Sequence, residues 1–200
     1  KVSFATIYKT KNFKKDRINV GDNFLNKKIP EFEQTYSDMQ GNPVEKYLFV
    51  NNEVRQQNNS QISLLCKTPL PERLWSGSFS RMPGSTRSGY ADHRTYYYAD
   101  RPIDKQVHLG IDIASIKHAD VTAAATGVVV NADYLGIYGN MVLLDHGQGV
   151  FSLYSHLSQI NVAKGDQFEK GSVLGLTGTT GMAGGDHLHF SMLIHGIFVT

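Results

Sequence analysis

Gly184-Gly185-Asp186-His187-Leu188-His189-Phe190 is the stretch on which the reading of this chain turns. On a helix, side chains two residues apart point about 200° away from one another. On a strand they share a face, with Cα atoms roughly 6.6 Å apart. The strand reading sends His187 and His189 into one groove and leaves Leu188 and Phe190 for a core on the other side. An isolated pair of this kind is most often two half-exposed strand residues, so its weight comes from the surrounding chain.

From Trp75 onward the chain consists of short aliphatic runs divided by turn residues. The runs are Val128-Val129-Val130, Met141-Val142-Leu143-Leu144, Val150 to Tyr154 and Val173-Leu174-Gly175-Leu176. Gly136, Gly139-Asn140, Gly147, Gly149, Gly165-Asp166 and Gly171 separate them. This spacing predicts a mainly β, antiparallel sheet or sandwich domain over 73–200. Residues 1–72 have another texture, with Lys and Asn clusters at Lys9 to Lys15 and Asn51 to Asn59. Val44, Tyr47, Leu48, Val54, Ile62 and Leu65 recur at helical intervals, and Asn42-Pro43 is a start signal. The reading is a mixed, partly helical N-terminal segment with a helix near 43–66, closed by Pro69-Leu70-Pro71.

Composition narrows the function classes. The chain has 200 residues, a hydrophobic fraction of 40% and a formal net charge of +2. There is no polybasic field, so nucleic acid is not the expected partner. With one cysteine, Cys66, neither an intrachain disulfide nor a thiolate zinc site can form. Cys66 reads as a small buried hydrophobe. No apolar run approaches the roughly 20 residues that span a bilayer. The chain begins Lys1-Val2-Ser3-Phe4, without a signal-peptide core, and reads as a piece of a longer, monomeric protein whose membrane anchor, if any, lies outside it.

Any metal must therefore be held by His, Asp or Glu. His108 and Asp112 stand in His108-Leu109-Gly110-Ile111-Asp112, and a straight strand would hold them about 13 Å apart. Gly110 permits a bend that brings His108 back toward Asp112, while Ile111 and Ile113 take the opposite face. Two histidines and a carboxylate are a common zinc set with one position left open. His156, in Tyr154-Ser155-His156-Leu157, and His187 are candidates for moving protons or stabilising an oxyanion. His93 and His118 read as solvated loop residues, His146 as a turn residue that could border the groove, and His195 as an exposed hairpin residue. One of Tyr96-Tyr97-Tyr98 is a candidate to line the groove.

Taken together, these blocks resemble the LytM/lysostaphin-type zinc endopeptidases of the M23 peptidase family. The family pattern is HxGxD, a single His in an (S/G)HL context, and GxTGxxxGxHLHF. Here it stands as His108 to Asp112, Ser155-His156-Leu157, and Gly175 to Gly178 running on through Gly181 to Phe190. Tyr90-Ala91-Asp92-His93-Arg94 looks like a variant of the family's FGxR element, with Tyr-Ala where Phe-Gly is usual. The resemblance covers about Trp75 to Thr200. It implies a LytM-type fold, Zn2+ held by His108, Asp112 and His189, and His156 with His187 as the catalytic pair. It also implies an envelope hydrolase, periplasmic or secreted, that cuts peptide stems or cross-bridges of bacterial peptidoglycan. Residues 1–72 would position or occlude the groove. The competing expectation is a catalytically silent LytM-like module that binds wall or activates another hydrolase. The filling of all five positions favours the enzyme. A biotinyl- or lipoyl-type module fits Val162 to Leu176 in outline but leaves the histidines unexplained.

Overall fold

The computed structural model describes residues 12–199, so part of the Lys9 to Lys15 cluster and Thr200 lie outside the described residues. The first strand, β1 (Lys15–Asn19), leads into α1 (Asp22–Glu33). Then come α2 (Pro43–Phe49), a π turn (Val50–Val54) and α3 (Arg55–Leu65), which together run as one helical stretch. Asn42 caps α2 in a capping box with Glu45, and Pro43 occupies the first turn, where its missing N–H costs nothing. The sequence reading missed α1. Leu25, Ile29 and Phe32 are buried at intervals of four and three, but Pro30 interrupts the pattern. The polar run Gln56 to Ser60 stays helical because Asn58 is buried with a partner, its Oδ1 accepting from the Ile137 N–H at 2.9 Å.

Twelve short strands follow in the order β2 (Ser85–Ser88), β3 (His93–Tyr98), β4 (Arg101–Val107), β5 (Ile111–Ala114), β6 (Asp120–Thr122), β7 (Gly127–Leu135), β8 (Gly139–Asp145), β9 (Val150–Leu157), β10 (Gln159–Ile160), β11 (Gln167–Phe168), β12 (Val173–Leu176) and β13 (Leu188–Ile194). A closing strand, β14 (Ile197–Phe198), folds back on β13. The main sheet has the order β11-β7-β8-β9-β13-β5-β2. A small sheet β10-β12-β6 packs to one side, and β1-β3-β4 forms a third. Among the described residues every strand pairing is antiparallel except β1 with β3. The fold is mainly β and antiparallel.

Period-two alternation divides the main sheet between two cores. Val142, Leu144, Tyr154, Leu188 and Phe190 face a core shared with the small sheet. Met141, Leu143, Phe151, Leu153 and Leu193 face the other way, against Leu25, Phe32, Tyr47, Val50, Val54 and Ile62 of the helices. His189 lies one residue from Leu188 and Phe190, so it shares the sheet face that the helices cover. Burying such side chains is worth about 1.5–3 kcal/mol each, which ties the N-terminal segment firmly to this face.

The join between segment and sheet is pinned by Asp145 and His146. The buried Asp145 carboxylate accepts from the N–H groups of Leu70 and Gly147, at 2.8 and 2.7 Å. His146 lies, as expected, in the turn between β8 and β9, its N–H donating to the Val150 carbonyl at 2.9 Å, but it is fully buried and does not border the cleft. Its ring makes hydrogen bonds with the Thr126 carbonyl at 2.8 Å and the Ser152 hydroxyl at 2.7 Å, and Phe79 packs edge-on against it. His93 opens β3 instead of lying in a loop, though it is exposed as expected, and His118 and His195 are exposed in turns. Cys66 is buried, and burial pushes its thiol up to about 12.

Candidate metal centre and active site

Three donors converge on one point. His108 Nε2, Asp112 Oδ1 and His189 Nδ1 form a triangle whose three edges are each 3.0 Å. Strand register supplies two corners, because His189 of β13 stands directly opposite Asp112 of β5, where side chains share a face. His108 comes from the link between β4 and β5. The turn at 89–92 clasps that link through Ala91 N–H to the His108 carbonyl and His108 N–H to the Asp92 carbonyl. Gly110 matters for space as well as for bending. A Cβ there would sit 2.5 Å from the Phe190 carbonyl and 2.8 Å from the His189 ring, so a side chain would push β5 off β13.

Each imidazole is oriented from behind. A carbonyl can only accept, so His108 Nδ1–H donates to Gly89 O at 2.8 Å and its Nε2 carries the lone pair. His189 uses Nδ1 toward the triangle, while its Nε2 meets the Ser191 hydroxyl at 3.2 Å. Three electron-rich atoms this close repel one another unless a cation sits among them. Ligands about 2.0–2.1 Å from a tetrahedral ion stand roughly 3.3 Å apart, close to the spacing found here. The donor set therefore fits a divalent zinc-type ion.

The second oxygen of Asp112 accepts from Arg94 Nη2 at 2.6 Å. Burial alone would raise the Asp112 carboxyl, but the imidazoles of His108, His187 and His189 around it outweigh burial and hold the group far below the usual carboxylate range. Burial also pushes His189 down, to about 4. Arg94 was legible only as the last residue of the variant element. Its partner could not be read because Arg94 and Asp112 lie on strands that meet only in the fold. Ala91 adopts a left-handed φ of 63° in that element, so alanine makes the turn where glycine is usual.

His156 and His187 stand beside the triangle. Their ring centroids are 4.9 Å apart, and His156 is 5.8 Å from His189. His187 Nε2 lies 3.5 Å from Asp112 Oδ1, and its Nδ1–H donates to Gly185 O at 2.8 Å. His156 is placed by a bulge. Between the pairs Asn140↔Leu157 and Val142↔Tyr154, β9 has two residues against one on β8. His156 takes the extra position with a φ of 67°, which turns its ring into the cleft. Its Nδ1–H donates to Thr180 O at 2.9 Å, so Nε2 is left with a free lone pair. Burial, followed by the neighbouring His187 and His189, holds His156 well below 6.5, so the ring is neutral.

All five residues except His108 line a single cavity of about 320 Å³, and Tyr96 lines it as well. Tyr138, unforeseen in the sequence, packs its ring 5.8 Å from His189, and its hydroxyl donates to Asn59 Oδ1. Lys28 of α1 is buried and donates to the Thr179 carbonyl, one residue from the Thr180 carbonyl that orients His156. No local pattern in the sequence marks Lys28 or Tyr138, because both act through packing with distant segments.

Residues 106–199 match the family model described as peptidase family M23. Over 91 residues, 46% of this chain and 21% of the relative, the chain is 41% identical to the DD-carboxypeptidase/endopeptidase Mpg of Neisseria meningitidis. Over 97 residues, 48% of this chain and 23% of the relative, it is 37% identical to the peptidoglycan DD-endopeptidase ShyA of Vibrio cholerae. The chain thus spans about a fifth of the length of these curated relatives. Its fold is similar to that of a zinc containing peptidase from Vibrio cholerae, with a TM-score of 0.54 at 29% identity, covering 62% of this chain and 39% of that one. Over residues 106–199 the chain is therefore similar to peptidase family M23 in sequence, and its fold is similar to that of a zinc containing peptidase.

Proposed function

We propose that this chain is a zinc metalloendopeptidase that hydrolyses peptide cross-links of peptidoglycan in the bacterial cell envelope. The observation that carries the reading is the closed triangle of His108, Asp112 and His189 with two further histidines in the same cleft. The names of the relatives supply the substrate class. His108, Asp112 and His189 would hold the ion, which when bound activates water and polarises a carbonyl.

The chain's own groups do the rest. Arg94 and Ser191 keep Asp112 and His189 in register as ligands. His156, neutral and with a free Nε2, accepts the proton of the attacking water. His187, fixed through Nδ1, presents Nε2 to the cleft, where it stabilises developing negative charge and hands a proton to the leaving amine. The N-terminal segment forms the opposite wall, through Val20, Phe24 and Tyr47, and narrows access to the site. It positions the substrate by shaping the cleft.

The test is zinc content and release of soluble fragments from purified peptidoglycan, with His189→Ala as the comparison. The wild type should bind one zinc and release cross-link peptides, and the variant should lose both. Full zinc in the variant would remove His189 from the ligand set. A zinc-loaded wild type that releases nothing would return the chain to the wall-binding alternative.

A further inference from the structure

The wall that the helices build into the cleft carries one charge that the proposed chemistry leaves unused. Arg55, at the start of α3, lines the same cavity as Asp112, His156, His187 and His189. The other charged pair in the lining, Arg94 with Asp112, is mutually neutralised at 2.6 Å. Among the described residues the Arg55 guanidinium pairs with no carboxylate; all its hydrogen bonds go to Asn51. The acidic group near Asn51 is Asp104, whose Oδ2 already accepts from Asn51, Asn52 and Gln106. Much of the remaining lining is apolar, including Phe24, Ile137 and Met182, and this strengthens any charge pairing inside the cleft.

The guanidinium is held in place by an irregularity in the helix. In the π turn the Arg55 backbone N–H bonds the carbonyls of Val50 and Asn52 and bypasses that of Asn51. The released Asn51 carbonyl accepts from Arg55 Nε at 3.0 Å and from Gln106 Nε2 at 3.1 Å. Asn51 Oδ1 takes Arg55 Nη2 at 2.5 Å, and Asn51 Nδ2 is anchored on Asp104 at 2.6 Å. One edge of the guanidinium is therefore fixed by a buried asparagine. Of its five N–H groups, three remain, enough for the Nη1–Nη2 edge to take a carboxylate in a fork. π insertions of this kind recur at functional sites, and here the insertion aims a cation.

We infer that Arg55 is a specificity-determining residue whose free Nη edge receives a carboxylate of the peptide bound in the cleft. The site then selects peptides with a free carboxylate near the scissile bond over their amidated forms. This rests on the peptidase reading above. The carboxylate is either the C-terminal one of the peptide or a side-chain one, and the assay separates these sources.

The full chain, loaded with zinc, is assayed on one synthetic peptide cross-link in three forms: all carboxylates free, the C-terminus amidated, and the side-chain carboxylate amidated. The wild type should prefer the free form over one amidated form by about tenfold or more in kcat/KM, and that form names the carboxylate. Arg55→Gln should bring the ratio close to one. Arg55→Lys should keep part of it, having charge without the fork. Equal rates on all three forms in the wild type, or an unchanged ratio in Arg55→Gln, overturns the inference. Calorimetric binding of the same three peptides separates this failure from failure of the peptidase reading. If nothing is cut, a binding preference lost in Arg55→Gln still supports the contact, and no preference overturns it. Should Arg55→Gln not fold, Arg55→Lys decides: a ratio reduced severalfold supports the inference and an unchanged one refutes it.

Discussion

His156→Gly separates a histidine kept for chemistry from one kept for packing. His156 holds a left-handed φ of 67° inside a strand, with only 8% of its surface exposed. A left-handed non-glycine residue costs about 1–3 kcal/mol, which glycine recovers. Against that, the variant loses the bond from Nδ1 to Thr180 O at 2.9 Å, worth about 1 kcal/mol net. The ring borders the cleft, so its removal opens space to water instead of leaving a sealed void. The two effects nearly cancel, and the unfolding free energy of the metal-free variant should stay within about 1.5 kcal/mol of wild type. Truncating a large side chain sealed in a core costs about 3–5 kcal/mol, so urea unfolding in chelator discriminates cleanly. Peptide cleavage should fall by roughly 10²–10⁴, the ordinary contribution of one proton-transfer group, with zinc content unchanged. A loss of stability above about 3 kcal/mol would show that the left-handed conformation is not stored strain and that the ring is a packing element. An unchanged rate would remove His156 from the catalytic pair.

Two further outcomes follow from the same contacts. Burial holds the His146 ring below its ordinary value of 6.5, so the unfolded chain binds more protons than the fold does as pH drops. Stability from this group should be full above about pH 6.5 and decline below it, and His146→Gln should flatten that slope in urea midpoints compared at about pH 7 and about pH 5.5. Gly139 sits at φ 64° and ψ −148°, and a Cβ there would lie 2.5 Å from the Thr180 carbonyl carbon. Gly139→Ala should lose about 2–4 kcal/mol of stability and displace the carbonyl that orients His156, read as a lower kcat with zinc retained; a neutral substitution would show that this loop yields freely.

Much of the fold was legible because the local rules and the tertiary structure agree. The runs at 128–130, 141–144, 150–154 and 173–176 all fall within strands, and Asn42-Pro43 does start a helix. α1 was missed because Pro30 breaks the expected pattern, although Leu25, Ile29 and Phe32 keep helical spacing. Asp145-His146-Gly147 has the composition of a turn and forms one, but nothing local marks His146 as buried. Only the approach of Thr126, Ser152 and Phe79 from elsewhere buries it.

By itself the sequence determined which side chains share a face. Alternation is a local property of a strand, so His187 and His189 could be set on one side, and Asp112 opposite its flanking isoleucines, without any knowledge of neighbours. Distances between strands are not local. The 3.0 Å triangle exists because register sets His189 across from Asp112 and Gly110 lets the two strands close. A bulge, which depends on pairing two residues with one, turned His156 inward. A π turn, visible only in its hydrogen bonds, brought Arg55 into a cleft whose histidines lie a hundred or more residues further along the chain.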